Sequence, residues 1–196
     1  MKKGHIFFIM GISWAGKGTL IEWLKQQEDI ELEFLKSYVT RPIREWEIPW
    51  NIYNFISLEE FKKWIENDEF LEYELNHWLH YYWTKYSDLV ENWIDKWKNV
   101  LKEIEVKWLR NIFENNHQLK DNITSIFLDI SEETLIERIN KRWAYMSEEE
   151  LENRKKSLKL EKKESVLICD YIIDTTHNSK EETLNKVLEI IKSKIK

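Results

Sequence analysis

From Thr19 to Lys196 this chain contains no glycine, and that gap limits what it can fold into more than any other feature. Ordinary proteins are about 7% glycine. Glycine enters backbone conformations with φ > 0 without strain, and turns and helix ends repeatedly need them. All four glycines here, Gly4, Gly11, Gly16 and Gly18, fall within the first eighteen residues, whereas tryptophan, usually scarce, occurs eleven times in 196 residues. A chain of alternating strands and helices built this way must place side chains where the backbone resists them.

The length suits one domain with a core of its own and room for a small insertion. Thirty basic and 36 acidic residues give a net charge of -6 and are spread along the chain. Without a basic stripe, neither nucleic acid nor an anionic membrane is an expected partner. Small molecules or proteins are. The start, MKKGHIFFIMGIS, has an apolar run too short for a leader and no small-residue cleavage site. No segment approaches the roughly 20 apolar residues of a membrane span. The single cysteine, Cys169, excludes an intrachain disulfide and suits a reducing compartment, so a cytoplasmic location is expected.

Ile6 to Met10 is a continuous apolar run ending at glycine, the pattern of a strand buried on both faces of a parallel sheet. A helix is expected over 19–27, followed by strands over 99–104, 123–130 and 170–174. Helical patterns cover 86–96, 106–115, 132–142, 148–164 and 180–195, with Ser131 opening one of them. The fold class is therefore α/β, a three-layer core around a parallel sheet, formed by residues 1–36 and 85–196. Residues 37–84 break the alternation: short extended pieces around one helix, 57–67, predict a small antiparallel insertion. The polar stretch 141–154 reads as a flap between two helices.

Gly11-Ile12-Ser13-Trp14-Ala15-Gly16-Lys17-Gly18-Thr19 fits GxxxxGK directly after a strand and before a helix. Backbone N–H groups of such a loop, with the helix N-terminus, form a concave anion site, and the lysine reaches the outer phosphates of a nucleotide. Gly18 stands where Ser or Thr usually binds Mg²⁺, and Thr19 follows; GKGT resembles a variant found in nucleoside monophosphate kinases. Trp14 is out of place, because this position commonly needs φ > 0. An indole there implies strain of about 1–3 kcal/mol and crowding of the phosphates.

The segment from Ser37 through Thr40, Arg41, Arg44, Glu47, Tyr53 and Phe55 resembles guanylate kinase, whose members carry S-x-T-T-R-x-x-R-x-G-E-x-x-G-x-x-Y-x-F here. The register matches without a gap, and Trp46 and Trp50 fall on the two glycines. The resemblance continues through Glu69 to Glu72, Tyr81 to Thr84, Glu103 to Trp108, Arg138, Arg142, Arg154 and Asp170-Tyr171, nearly the whole chain. It implies a P-loop core, a GMP-binding insertion (37–84) and a lid at about 142–154. The implied reaction is phosphoryl transfer from ATP to GMP with Mg²⁺, giving ADP and GDP.

Pro42 favours an extended local backbone from which Arg41 and Arg44 can bind one phosphate dianion. One carboxylate can accept both N1–H and N2–H₂ of guanine, whereas adenine has an acceptor at N1. Glu72 is the matching carboxylate. By residue type alone the arginines could be a solvated pair and Tyr53, Tyr81 and Tyr82 core filler; the family register assigns them to the ligand. The resemblance adds Ser37, Tyr53 and Tyr82 to the phosphate set, Thr84 to the guanine set, and Glu103 with Glu105 where the family has Asp-x-Asp. His77 and His80 lack further ligands at metal spacing. Lys17, Arg41, Arg142 and Arg154 are the implied catalytic residues, with Arg138 either joining them or lying on a helix surface. The alternative class is a guanylate-kinase-like module that has lost catalysis and binds protein.

Eight tryptophans stand where the family has glycine: Trp14, Trp46, Trp50, Trp78, Trp83, Trp97, Trp108 and Trp143. Independent drift would not choose one bulky residue eight times. The pattern implies that UGA codons meaning glycine in the gene's own code were translated as tryptophan; the competing reading is a tryptophan-rich protein. As written, Trp14 and Trp83 are expected to obstruct both nucleotide sites. Trp23, Trp64 and Trp93 stay undecided.

Overall fold

The computed structural model describes residues 4–12, 14–43, 53–67, 70–76, 80–85, 87–91, 94–141 and 147–195, with backbone alone for 70–76 and 80–83. In chain order its strands and α-helices are β1 (Ile6–Met10), α1 (Lys17–Leu24), β2 (Glu33–Leu35), β3 (Ser37–Val39), β4 (Tyr53–Phe55), α2 (Leu58–Glu66), β5 (Phe70–Asn76), β6 (His80–Lys85), β7 (Val100–Glu103), α3 (Val106–Asn115), β8 (Ile123–Asp129), α4 (Glu132–Lys141), α5 (Glu148–Ile168), β9 (Tyr171–Asp174) and α6 (Lys180–Lys194).

β1 is completely buried because it lies in the middle of a five-stranded sheet of order β2-β7-β1-β8-β9, whose pairs are all parallel. Alternate side chains feed two core layers, as the two-residue period of a strand requires. Phe7, Ile9 and Leu101 join one cluster; Ile6, Phe8, Met10 and Val100 join the other. With both faces covered, the strands can be apolar throughout. This is the expected α/β core.

A second sheet, of order β4-β3-β6-β5, is formed within residues 37–85. It was expected to be antiparallel, and β3–β6 and β5–β6 are, but β3 and β4 run parallel, Ser37 opposite Tyr53 and Val39 opposite Phe55. Parallel neighbours need a crossover of about a dozen residues, and the chain between Val39 and Tyr53 is long enough to make one. β2, three residues at the sheet edge, had no expectation because so short a run carries no readable period.

One further expectation changes: the helix over 86–96 becomes one wide turn at Ser87–Glu91 and a 3₁₀ turn at Ile94–Lys96. The helix expected from 148 begins there, because Ser147 and Glu150 form a reciprocal capping box that starts α5, and it runs to Ile168. Ser131 accepts from Thr134 N–H at 3.1 Å, as expected of a helix start. Cys169 caps the end of α5, and burial pushes its thiol up to about 12. Among the described residues no helix is long and apolar enough to cross a membrane.

Candidate active site

The phosphate loop leaves β1 at Gly11, whose φ is 139°, and a Cβ there would lie 2.6 Å from the Leu128 carbonyl oxygen. Gly16, with φ 104°, precedes α1, and a Cβ built on it meets nothing within 4 Å. It opens a hollow at the helix N-terminus, where no side chain caps the first N–H groups. Gly18 and Thr19 lie in the first turn of α1, and Ala15 N–H closes the loop onto the Ile12 carbonyl at 3.1 Å. Lys17 bends back, donating to the Gly11 and Ile12 carbonyls, and lies 3.5 Å from the Glu103 carboxylate.

Trp14 has φ 76°, the left-handed region expected of its place in the loop. Its half-buried side chain packs against the first core cluster. Its carbonyl accepts from Arg138 Nη1 at 2.9 Å, while Nη2 of the same guanidinium donates to the Thr175 carbonyl at 2.7 Å. Arg138 is thus tied to the phosphate loop rather than spread on a helix surface. Sequence could not show that link across 124 residues.

The second sheet holds the other expected residues. Arg41 is 6% exposed, its guanidinium 5.2 Å from the centroid of Tyr53 and 5.4 Å from that of Phe55, with Nη1 donating to the Pro42 carbonyl at 3.0 Å. Tyr53 and Phe55 are two residues apart on β4, so both rings present one face to the cation. Thr84 is buried on β6 directly opposite Glu72 on β5, and Tyr82 is opposite Val39 and Glu74. The side chains of Glu72 and Tyr82 lie outside the described set, as do Ser13, Arg44, Arg142, and His77 altogether.

β7 joins the two halves at its carboxyl end, the side on which open parallel sheets bind ligands. Glu103 reaches Lys17, while the adjacent Lys102 donates to the buried Ser37 hydroxyl at 2.8 Å. Glu105 occupies the N-cap position of α3 without a side-chain capping bond, and its carboxylate lies 3.3 Å from Lys107. From α5, Arg154, Leu158 and Glu161 share a helix face, and Leu158 is in the first core cluster. Burial first, then the negative charge of Glu105, raises the Glu161 carboxyl pKa, with Lys17 opposing. Lys102 and Glu161 carried no motif that sequence reading could find.

The Guanylate kinase family model matches residues 3–194. The chain belongs to the guanylate kinase family. It is 34% identical over 191 residues to the guanylate kinase of Clostridium tetani, covering 97% of this chain and 86% of that protein. It is also 34% identical over 188 residues to the guanylate kinase of Mycoplasmopsis pulmonis, covering 95% and 94%. The crystal structure of guanylate kinase from Anaplasma phagocytophilum superposes with a TM-score of 0.68 at 22% identity, covering 98% of this chain and 86% of that one, which establishes the shared fold.

Proposed function

We propose that the two halves of this site hold ATP and GMP during phosphoryl transfer, with the products ADP and GDP. The supporting observation is the end of β7, where neighbouring residues reach opposite halves: Glu103 meets Lys17 of the phosphate loop, and Lys102 meets Ser37 of the acceptor side. Phosphoryl transfer needs little covalent help from protein; it needs alignment and charge neutralisation.

In this reading, the loop Gly11 to Thr19 cradles the ATP phosphates, and Lys17 leaves its two carbonyls to neutralise them. Ser37, Arg41, Arg44, Tyr53 and Tyr82 hold the phosphate of GMP, and Glu72 with Thr84 accepts its guanine. Mg²⁺ prefers hard oxygen ligands and keeps phosphates and waters around it. The Thr19 hydroxyl and the Glu103 and Glu105 carboxylates are suitable donors, with Mg²⁺ supplying charge neutralisation on the phosphates. Residues 142–154 form the lid, bringing Arg142 and Arg154 to the transferring group and excluding water. Residues 37–84 form the GMP-binding part of a single domain, and the setting is cytoplasmic purine nucleotide metabolism.

ADP release coupled to NADH oxidation tests the reading. GMP should support turnover, and AMP should be slower by about 10⁴-fold, because a carboxylate placed to accept from guanine is left unpaired opposite adenine. Equal turnover with AMP, or none with GMP, overturns it. Arg142→Ala should lower kcat by about 10²-fold or more while changing GMP affinity little. Equal losses in rate and binding would remove Arg142 from the transition state.

A further inference from the structure

Lys102 is only 1% exposed within the parallel sheet, and its ammonium meets the Ser37 hydroxyl at 2.8 Å. Its strand neighbours in register are Phe8 and Leu35, and Val100, on the same face of β7, belongs to the second core cluster. Removing an ammonium from water is unfavourable unless polar partners meet it, and lysine is rarely this deeply buried. An apolar residue of similar volume at such a place is often as stable or more so. Fold stability therefore does not by itself call for a lysine here.

We propose that Lys102 is a positioning residue for the acceptor nucleotide, fixing the Ser37 hydroxyl as a hydrogen-bond donor to the acceptor's phosphate; this rests on the assignment of the second sheet to GMP. A serine hydroxyl has one hydrogen and two lone pairs, and it rotates to suit its partners. When the Lys102 ammonium occupies a lone pair, the hydrogen is turned away from Lys102 and toward an acceptor. Donation from a cation also polarises the O–H bond, strengthening it toward an anionic oxygen. The same charge lies one residue from Glu103, so β7 presents a cation to the acceptor side and a carboxylate to the phosphate loop. No bond is made or broken at Lys102. Its effect is to orient.

Steady-state kinetics and calorimetric GMP binding on the unmodified chain, Lys102→Met, Ser37→Ala and the double variant test this. Both single variants should raise KM and Kd for GMP by about tenfold, in line with loss of one charge-assisted hydrogen bond. The double variant should be no worse than Ser37→Ala, since both remove one interaction. KM for ATP should stay within about twofold. Lys102→Gln, which keeps a neutral N–H donor, should recover part of the affinity and carries the test if the Met variant misfolds. Unchanged GMP binding in the Lys102 variants, or losses that multiply in the double variant, overturns the proposal. Absence of GMP-dependent turnover in the unmodified chain overturns the acceptor assignment and this role together. Normal turnover with an unchanged KM removes the role alone.

Discussion

Trp14 and Trp97 are, among the described residues, the two non-glycine residues with positive φ, at 76° and 65°, and both stand at family glycines. Trp97 follows the 3₁₀ turn at Ile94–Lys96, its N–H bonded to the Ile94 carbonyl, and is 66% exposed. Little burial would be lost there with the indole. Trp97→Gly should stabilise the protein by about 1 kcal/mol, which for this size is about 2–4 °C in the thermal midpoint. Trp64 differs: its ring makes an edge contact with Tyr38 at 5.2 Å and carries the Lys85 ammonium at 3.4 Å. Trp64→Gly should destabilise by about 2 kcal/mol or more, through lost aromatic contacts and a glycine inside α2. Trp108, 5% exposed in the second cluster, has a packed place, and its assignment rests on family register alone. UGA codons are expected at Trp14 and Trp97 and UGG at Trp64; UGG at Trp14, Trp46 and Trp83 would sink the decoding reading. Glycine at all eight positions should raise kcat/KM with both nucleotides, whereas equal turnover would show that the indoles are harmless.

The long elements were legible from their periodicity. The continuous apolar run of β1 and the one-sided apolar spacing of α3 and α6 carry it, and in the structure Ser179 with Glu182 caps the start of α6. β2 and the parallel pairing of β3 with β4 were not legible, since both are settled by distant chain. The box that starts α5 depends on the Ser147 hydroxyl, so Ser147→Ala should cost about 1 kcal/mol in denaturant unfolding. Beside β1, the half-buried His5 bonds to the Thr124 hydroxyl at 2.7 Å. Burial first, then the charge of Lys194, pushes its pKa down to about 4, against a weaker opposing pull from Asp170. The unfolded chain then takes up this proton near its ordinary value of 6.5, before the folded chain does. Stability from the neutral imidazole is complete above pH 6.5 and is lost as pH falls toward about 4. His5→Gln should flatten that limb of a plot of unfolding free energy against pH, and an unchanged slope would exclude His5 as its source.

At the scale of the molecule, the two sheets differ in how they are held. The parallel sheet is packed between two core clusters, whereas β4 is a three-residue edge strand of the second sheet. Amide exchange at β1 and β8 should require global opening, whereas Tyr53 to Phe55 should exchange earlier and be slowed by GMP. Uniform exchange across both sheets would contradict this division. The phosphate loop could be read from sequence because its chemistry lies within nine consecutive residues. The meeting of Lys102 with Ser37 could not, because neither residue carries a signal of the other across 65 positions. The same is true of Arg138, whose single guanidinium grips the Trp14 carbonyl and the Thr175 carbonyl just beyond β9. Both contacts are made to backbone, so at these two points the grip does not depend on which side chain stands at position 14. One guanidinium thus serves the phosphate loop as an abutment, anchoring its backbone to the chain that leaves the edge strand of the parallel sheet.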